Sequence, residues 1–235
     1  MPDLRQRSMA PELMDGDDVT LEAFSACVTD LAQVNTVTLA RGPTLAFVKR
    51  AIRGMGPNAR PIILDVGFGA GDMLRSIATM LRRKRRKARL IGIDLNWRSE
   101  AVARATTDAD LGIEWHTGDA YAWPEKDAPD LVISSLVTHH MDDAEVVRFL
   151  AWMESTAQRG WFVNDLHRHA LAWHGFTAVA ALARWHPFVR HDGPLSVARS
   201  FRRADWERLL SQAGVKEAKV RWRFPFRYCV ERQRW

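Results

Sequence analysis

The sequence predicts an α/β fold: a Rossmann-like, seven-stranded, mostly parallel sheet with helices on both faces and the last strand antiparallel. Three observations carry this. From residue 61 onward, short apolar runs alternate with segments of helical period. The run "DLVISS" (130–135) is apolar on both faces, as a central parallel strand is. The closing runs "KEAKVRWRF" and "FRYCVER" are separated only by Pro225 and read as an antiparallel hairpin.

Each element follows in chain order. Leu21, Phe24, Val28 and Leu31 recur at spacings of three, four and three, so they share one face of a helix. Asp17, Asp18 and Glu22 put acid at its start, where the helix dipole favours it. "PIILDV" (61–66) is a short buried strand, and a helix follows to about Leu81. "RLIGID" (89–94) is the second strand, with a helix from near Arg98; "GIEWHT" (112–117) is the third. After the fourth strand Asp142 opens a helix with Glu145 three positions on, a capping box, and Val146, Leu150 and Met153 line its inner face. "GWFVND" (160–165) is the fifth strand. The alternation then breaks: residues 166–200 hold an apolar helix-like segment and the loop "VRHDGPLSVARS". It returns in "RADWERLLSQAG", where Trp206, Leu209, Leu210 and Ala213 share a face and Gly214 suits the helix stop. The expected organisation is a helical N-terminal lid at 1–55 and a ligand-binding domain at 56–235, with a cap inserted at 166–200.

Composition narrows the function classes. A chain of 235 residues, 47% hydrophobic and 26% charged, can bury a core as one globular domain. The two cysteines, Cys27 and Cys229, form no metal-type cluster or CxxC pair, which suggests free thiols in a reducing cytoplasm. The N-terminal stretch has no apolar run of signal-peptide type, and the longest apolar stretch, 170–183, is too short to span a bilayer. The net charge of +6 invites a nucleic-acid partner, but much of it sits in "RRKRRK" (82–87), between a helix and a strand, where a solvated surface is the expectation.

The chemistry concentrates at strand ends. "ILDVGFGAGDM" (63–73) places Gly67, Gly69 and Gly71 at alternate positions straight after the first strand. A dinucleotide loop reads G-x-G-x-x-G and receives a pyrophosphate on backbone amides. Here Asp72 replaces the third glycine of that pattern and Asp65 precedes the first. Two carboxylates oppose a pyrophosphate and favour a cationic ligand. S-adenosyl-L-methionine carries an ammonium and a sulfonium and no phosphate, and Asp65 is the expected partner of its amino group. Asp94 ends the second strand, where an acid accepts both ribose hydroxyls, and Asp119 follows the third strand within reach of an adenine amino group.

"LDVGFGAGD", "IGIDLN", "TGDA" and "LVISSLVTHHMDD" together resemble a class I S-adenosylmethionine-dependent methyltransferase, closely over about residues 60–165. The resemblance implies that Asp65, Gly67, Phe68, Gly69 and Gly71 surround the amino-acid end of the cofactor. It places Asp94 and Leu95 at the ribose, Asp119 and Ala120 at the adenine, and Ser135 and Leu136 along the cofactor from the fourth strand. Phe68 stands where the family often has a smaller residue; it either packs on the sheet or narrows the pocket. "SSLVTHHMDD" is similar to the matching stretch of ubiquinone- and menaquinone-biosynthesis methyltransferases, and "PELMD", "VNDLHRH" and "RHDGPLSV" resemble a subgroup associated with polyketide or phenolic secondary metabolism.

Methyl transfer to a hydroxyl needs a base that works near neutral pH. Seven of the eight histidines fall between residues 139 and 191. His139 and His140 follow the fourth strand, and His167 and His169 follow the fifth, so His139, His167 and His140 are the candidate catalytic residues. Two histidines adjacent in an extended segment point apart, so one of His139 and His140 is expected to be a bystander. Asp165, Asn164 and Asp142 offer oxygen ligands, but no compact set at a fixed spacing is visible, and no metal is expected. The segment 170–189 is either core or a lid, with Trp173, Phe176, Trp185 and Phe188 available as aromatic walls; membrane-surface contact is a third reading.

The expected activity is methylation of a small apolar or aromatic acceptor, foremost O-methylation of a phenolic hydroxyl in secondary metabolism. C-methylation of a quinone-type ring and RNA or protein methylation are the alternatives. A nucleic-acid acceptor is disfavoured because the fourth strand ends in Ser134-Ser135-Leu136-Val137, without the Asn/Asp-Pro-Pro-aromatic motif of enzymes that methylate exocyclic base amines. A monomer or a homodimer fits, and so does a non-catalytic cofactor-binding partner.

Overall fold

The structure, a computed structural model, describes residues 2–235. The seven strands are β1 (Ile62–Val66), β2 (Arg89–Asp94), β3 (Ile113–Thr117), β4 (Leu131–Ser135), β5 (Gly160–Leu166), β6 (Lys219–Arg223) and β7 (Arg227–Gln233), in sheet order β3-β2-β1-β4-β5-β7-β6. All pairings from β3 to β5 are parallel; β7 runs antiparallel to both β5 and β6. The order reverses between β1 and β4, so a cleft opens there at the carboxyl ends of the strands.

The helices are α1 (Leu21–Val37), α2 (Arg41–Arg53), α3 (Asp72–Arg83), α4 (Trp97–Thr106), α5 (Asp143–Thr156), α6 (Ala170–Leu182), α7 (Pro187–Arg199) and α8 (Arg203–Gln212). Two apolar cores lie on opposite faces of the sheet. On one, α2 and α3 bury Phe47, Val48, Ile52, Leu74, Ile77 and Leu81. On the other, α5 and α8 bury Val146, Phe149, Leu150, Trp206 and Leu209. The capping box at Asp142 and Glu145 forms as the spacing predicts. Burying a side chain of this size stabilises by roughly 1.5–3 kcal/mol each, so the two layers dominate the energetics of the sheet.

The N-terminal region divides. Helix α2 belongs to the sheet core, so the expected lid of residues 1–55 is two kinds of structure. Helix α1 instead packs with α6 and α7 in a separate cap, through Cys27, Val34, Ala180, Trp185 and Val189. Its other face meets Val102 of α4 and Ala70 of the glycine turn, which sets the cap over the cleft.

The loop expected at "VRHDGPLSVARS" is a correction: it lies in α7, which continues through Pro194. Glycine and proline together read as a helix break, because proline lacks an N–H and crowds the preceding turn. Tertiary contacts override that. The buried Asp192 carboxylate accepts Leu13 N at 2.9 Å and Met14 N at 3.0 Å, anchoring α7 to the N-terminal segment. At Gly193 the Phe176 ring of α6 packs so closely on α7 that a Cβ would lie 1.9 Å from Phe176 Cε1.

Phe176, Trp185 and Phe188 fill this cap core, with the Phe176 and Trp185 rings 6.0 Å apart, so they are cap packing and not the expected pocket walls. Trp173 packs edge-on against His174. Helix α6 buries only Ala180 among its own residues and leaves Leu171 and Leu182 exposed. Among the described residues no helix is long and apolar enough to cross a membrane.

Candidate active site

The first half of the site follows directly from the turn after β1. Gly67, Gly69 and Gly71 all have positive φ, the region that side chains disfavour. Two of them also have close neighbours. A Cβ on Gly67 would lie 2.3 Å from Val137 Cγ2, and one on Gly71 would lie 2.5 Å from the Trp115 ring. The turn therefore runs tight against β4 and against β3, and its backbone faces the cleft. Phe68, between these glycines, points the other way: it is buried against Trp115 at 4.8 Å, so only its backbone can line a ligand.

Asp65 lies at the mouth of this turn and is 2% exposed. Among the described residues its carboxylate has no hydrogen bond and no ion pair. Burial, with Asp72 and Asp94 nearby, pushes its pKa well above the usual carboxylate range. Such a group gains from a cation brought to it. Asp72 does not share this role, contrary to the expectation: it opens α3 and its carboxylate meets Arg41 at 3.2 Å.

Asp94 ends β2 in the same cleft. Its Oδ2 accepts Gly69 N at 3.0 Å and its Oδ1 accepts Asn96 N at 2.9 Å. Burial raises its pKa while these amides oppose the shift. The carboxylate is thus fixed in orientation and retains further lone pairs for ribose hydroxyls. Leu95 beside it is exposed. Asp119 accepts Tyr121 N at 2.9 Å and caps its own short turn, with Ala120 buried behind it. Ser135 meets Thr44 of α2 at 3.2 Å, and Leu136 takes φ +62° where β4 turns off.

The second half of the site is assembled from distant segments. After β4, Thr138–His140 form a turn of 3-10 helix, not an extended segment. The two imidazoles therefore project together, ring centroids 4.3 Å apart, and the expectation that one must be a bystander is corrected. His139 is buried; its Nδ1 donates to Asp165 Oδ1 at 2.7 Å. Burial works to raise the Asp165 pKa, but His139, the Thr138 hydroxyl and the Leu166 amide hold it down to about 2, so it is a carboxylate. His140 Nδ1 meets Asp15 Oδ2 at 2.9 Å. Burial opposes charge on His140, yet Asp15 and Glu12 raise its pKa to about 8.

Glu12 is the residue that the sequence does not reveal. It comes from the N-terminal segment, is 4% exposed, and presents Oε1 to His139 Nε2 and Oε2 to His140 Nε2, each at 3.8 Å. Ser196 Oγ donates to its Oε1 at 2.9 Å. Arg199 locks the arrangement, donating to the His139 carbonyl at 3.0 Å and the His140 carbonyl at 2.9 Å. The Glu-Leu-Met-Asp run in "PELMD" is the only local trace, since Glu12 and Asp15 lie three apart.

His167 is not part of this cluster. It packs edge-on against Tyr228 at 4.7 Å and beside His169 at 5.2 Å. Burial and the nearby positive groups lower its pKa to about 4. Asp142 caps α5 and Asn164 donates to the Ala40 carbonyl at 2.7 Å, so neither joins Asp165 as a ligand.

Comparison with known proteins agrees with the fold. Residues 63–160 match a family model described as a methyltransferase domain. Magnesium protoporphyrin IX methyltransferase from Synechocystis, solved with S-adenosylhomocysteine, is 16% identical; the match covers 94% of this chain and 90% of that one, with a TM-score of 0.55. Plantazolicin methyltransferase, solved with a triazolic desmethyl analogue and S-adenosylhomocysteine, is 15% identical over 86% of this chain and 79% of its own, with a TM-score of 0.60. The carbon methyltransferase CurJ is 13% identical over 89% of this chain but 59% of its own, with a TM-score of 0.66. No curated protein matches the sequence.

Proposed function

We propose, from the match of residues 63–160 to a methyltransferase domain, that this chain is a class I S-adenosylmethionine-dependent methyltransferase that methylates a phenolic oxygen of a small, largely apolar acceptor. The observation that carries the reading is an unpaired, buried Asp65 on β1 beside the Glu12–His139–His140 cluster that follows the neighbouring strand β4. Asp65 receives the cofactor's amino group, the Gly67–Gly71 backbone follows its amino-acid end, and Asp94 accepts from the ribose. Ala120 and Asp119 flank the adenine, and Ser135 and Leu136 line the approach from β4.

Transfer is an in-line displacement. A lone pair of the acceptor oxygen forms the new O–C bond, and the C–S electrons return to sulfur, leaving a neutral thioether. The sulfonium already activates the carbon, so the protein's main work is alignment and exclusion of water, worth up to roughly 7–11 kcal/mol. The acceptor's proton leaves at the histidine–glutamate cluster. His139 is held by Asp165 with its Nε2 toward Glu12, and His140 is held likewise by Asp15. His167, with its depressed pKa and separate surroundings, is a structural residue in this reading.

A small acceptor is favoured over RNA by the place of the basic run. Helix α3 begins at the cleft with Asp72 and carries Arg82–Lys87 away from it, and Arg86 donates to the Met55 and Gly56 carbonyls at the end of α2. The two cysteines are buried thiols, consistent with a cytoplasmic setting. The test is transfer of labelled methyl from S-adenosylmethionine to a panel of phenols and quinone precursors, with NMR of the product. An aryl methyl ether is the expected outcome. A ring-carbon methyl would move the reading to C-methylation, and transfer to RNA alone would overturn it.

A further inference from the structure

We infer that Glu12, His139 and His140 form a binding site for a divalent transition-metal ion of the zinc type, which receives the acceptor's oxygen. The inference rests on the methyl-transfer reading and deepens it, because it states how the acceptor loses its proton.

Four observations carry it. First, three ligand atoms of different side chains lie within 4.8 Å of one another. The two Nε2–Glu12 separations of 3.8 Å are too long for hydrogen bonds. Ligand atoms of one tetrahedral zinc lie about 3.3 Å apart, so side-chain rotation of roughly an ångström closes the set. Second, both imidazoles carry the support that metal-bound histidines have: Nδ1 of each is hydrogen-bonded to a carboxylate, Asp165 or Asp15, leaving Nε2 for the ion. Ser196 supports Glu12 Oε1 in the same way. Third, the charges ask for a dication. Three carboxylates, Glu12, Asp15 and Asp165, converge on the two imidazoles, with Arg199 3.8 Å from Glu12. Fourth, two histidines and one glutamate are a ligand set that leaves a fourth position open, the form of a catalytic rather than a structural zinc site.

An ion there supplies Lewis acidity to the acceptor. A phenol bound through its oxygen loses its proton to water at a lower pH, because the dication stabilises the phenolate. The phenolate lone pair then attacks the methyl carbon as the C–S bond breaks. The products are the aryl methyl ether, S-adenosylhomocysteine and one released proton. Glu12 lies far from the histidines in sequence, so the N-terminal segment completes the site only when it is folded over the cleft.

The test uses the full chain, stripped with a chelator and titrated with Zn²⁺ by calorimetry and with Co²⁺ by visible absorption. One equivalent of each is expected, with a cobalt spectrum of nitrogen and oxygen coordination. His140→Ala and Glu12→Gln should each weaken Zn²⁺ binding at least about 100-fold, and Asp15→Asn, at an exposed position that does not threaten folding, by about 10–100-fold. S-adenosylhomocysteine affinity should stay within about twofold in all three, and methyl transfer should stop in chelator and return with stoichiometric Zn²⁺. Zn²⁺ binding that survives these substitutions, or transfer that continues in chelator while the cofactor product still binds, overturns the metal site alone. Failure to bind S-adenosylhomocysteine under any metal condition overturns the methyltransferase reading instead.

Discussion

The two sides of the cleft are built by opposite means. The proposed cofactor side is local: Asp65, the glycine turn and Asp94 belong to β1, its following turn and the end of β2, and the Gly69 amide donating to the Asp94 carboxylate and the Gly67 amide donating to the Ile93 carbonyl tie them together. The acceptor side is gathered from four places. Glu12 comes from the N-terminal segment, His139 and His140 from the turn after β4, Asp165 from the end of β5, and Arg199 from the end of α7. On the proposed roles, a cofactor site can sit in one fixed local unit while the acceptor site depends on segments drawn from across the chain.

If the two sides are separable, substitutions should divide cleanly between them. The largest effect expected is at His139. His139→Ala should lower methyl transfer by about 10²–10⁴-fold, with S-adenosylhomocysteine affinity nearly unchanged. A parallel loss of binding would mean that the two sides act as one unit. Asp94→Ala should do the reverse, weakening S-adenosylhomocysteine binding by about 1–3 kcal/mol through lost charge-assisted hydrogen bonds. Unchanged affinity in calorimetry would displace Asp94 from the ribose.

A third substitution probes the cap that holds the acceptor side. Gly193→Ala drives a methyl into Phe176 and should destabilise the α6–α7 pair by about 1–3 kcal/mol. Limited proteolysis should then cut within 170–200 before the sheet opens. The smallest effect is a pH signature at His167. Its folded pKa, about 4, lies below the ordinary histidine value of 6.5, so the unfolded chain binds the proton first. Its neutral form therefore supports stability above pH 6.5, and that support falls away as the pH drops toward 4. His167→Phe should flatten the acid limb of the melting curve without the loss of transfer that His139→Ala brings.

The same contrast explains what the sequence discloses. The seven strands, their ends and the acids that follow them are legible because each motif is contiguous and its period is imposed by the strand or helix that carries it. The capping box at Asp142 is legible for the same reason. Glu12 is not, because the Glu12–Asp15 spacing, its only local trace, does not mark it as a partner of residues 139 and 140. The helix through Gly193-Pro194 is hidden as well, since local propensity argues against it and only the packing on Phe176 and the Asp192 anchor favour it. Adjacent histidines look mutually exclusive in an extended chain, and the 3-10 turn that reconciles them is a product of Asp165 holding Thr138, the His139 amide and the His139 ring at once.

Asp65 is where the account is most exposed, since everything assigned to the cofactor depends on a buried carboxylate left for a cation. Its raised folded pKa means the native state holds a proton that the unfolded chain gives up, so in the ligand-free protein its ionisation opposes folding as pH rises above 3.8. The deciding measurement is calorimetry of S-adenosylhomocysteine against the native chain and Asp65→Asn, with a melting curve of each ligand-free form. Binding weakened by about 10–100-fold is expected in a variant that melts higher than the native chain. Equal affinity for S-adenosylhomocysteine in the two proteins would contradict it.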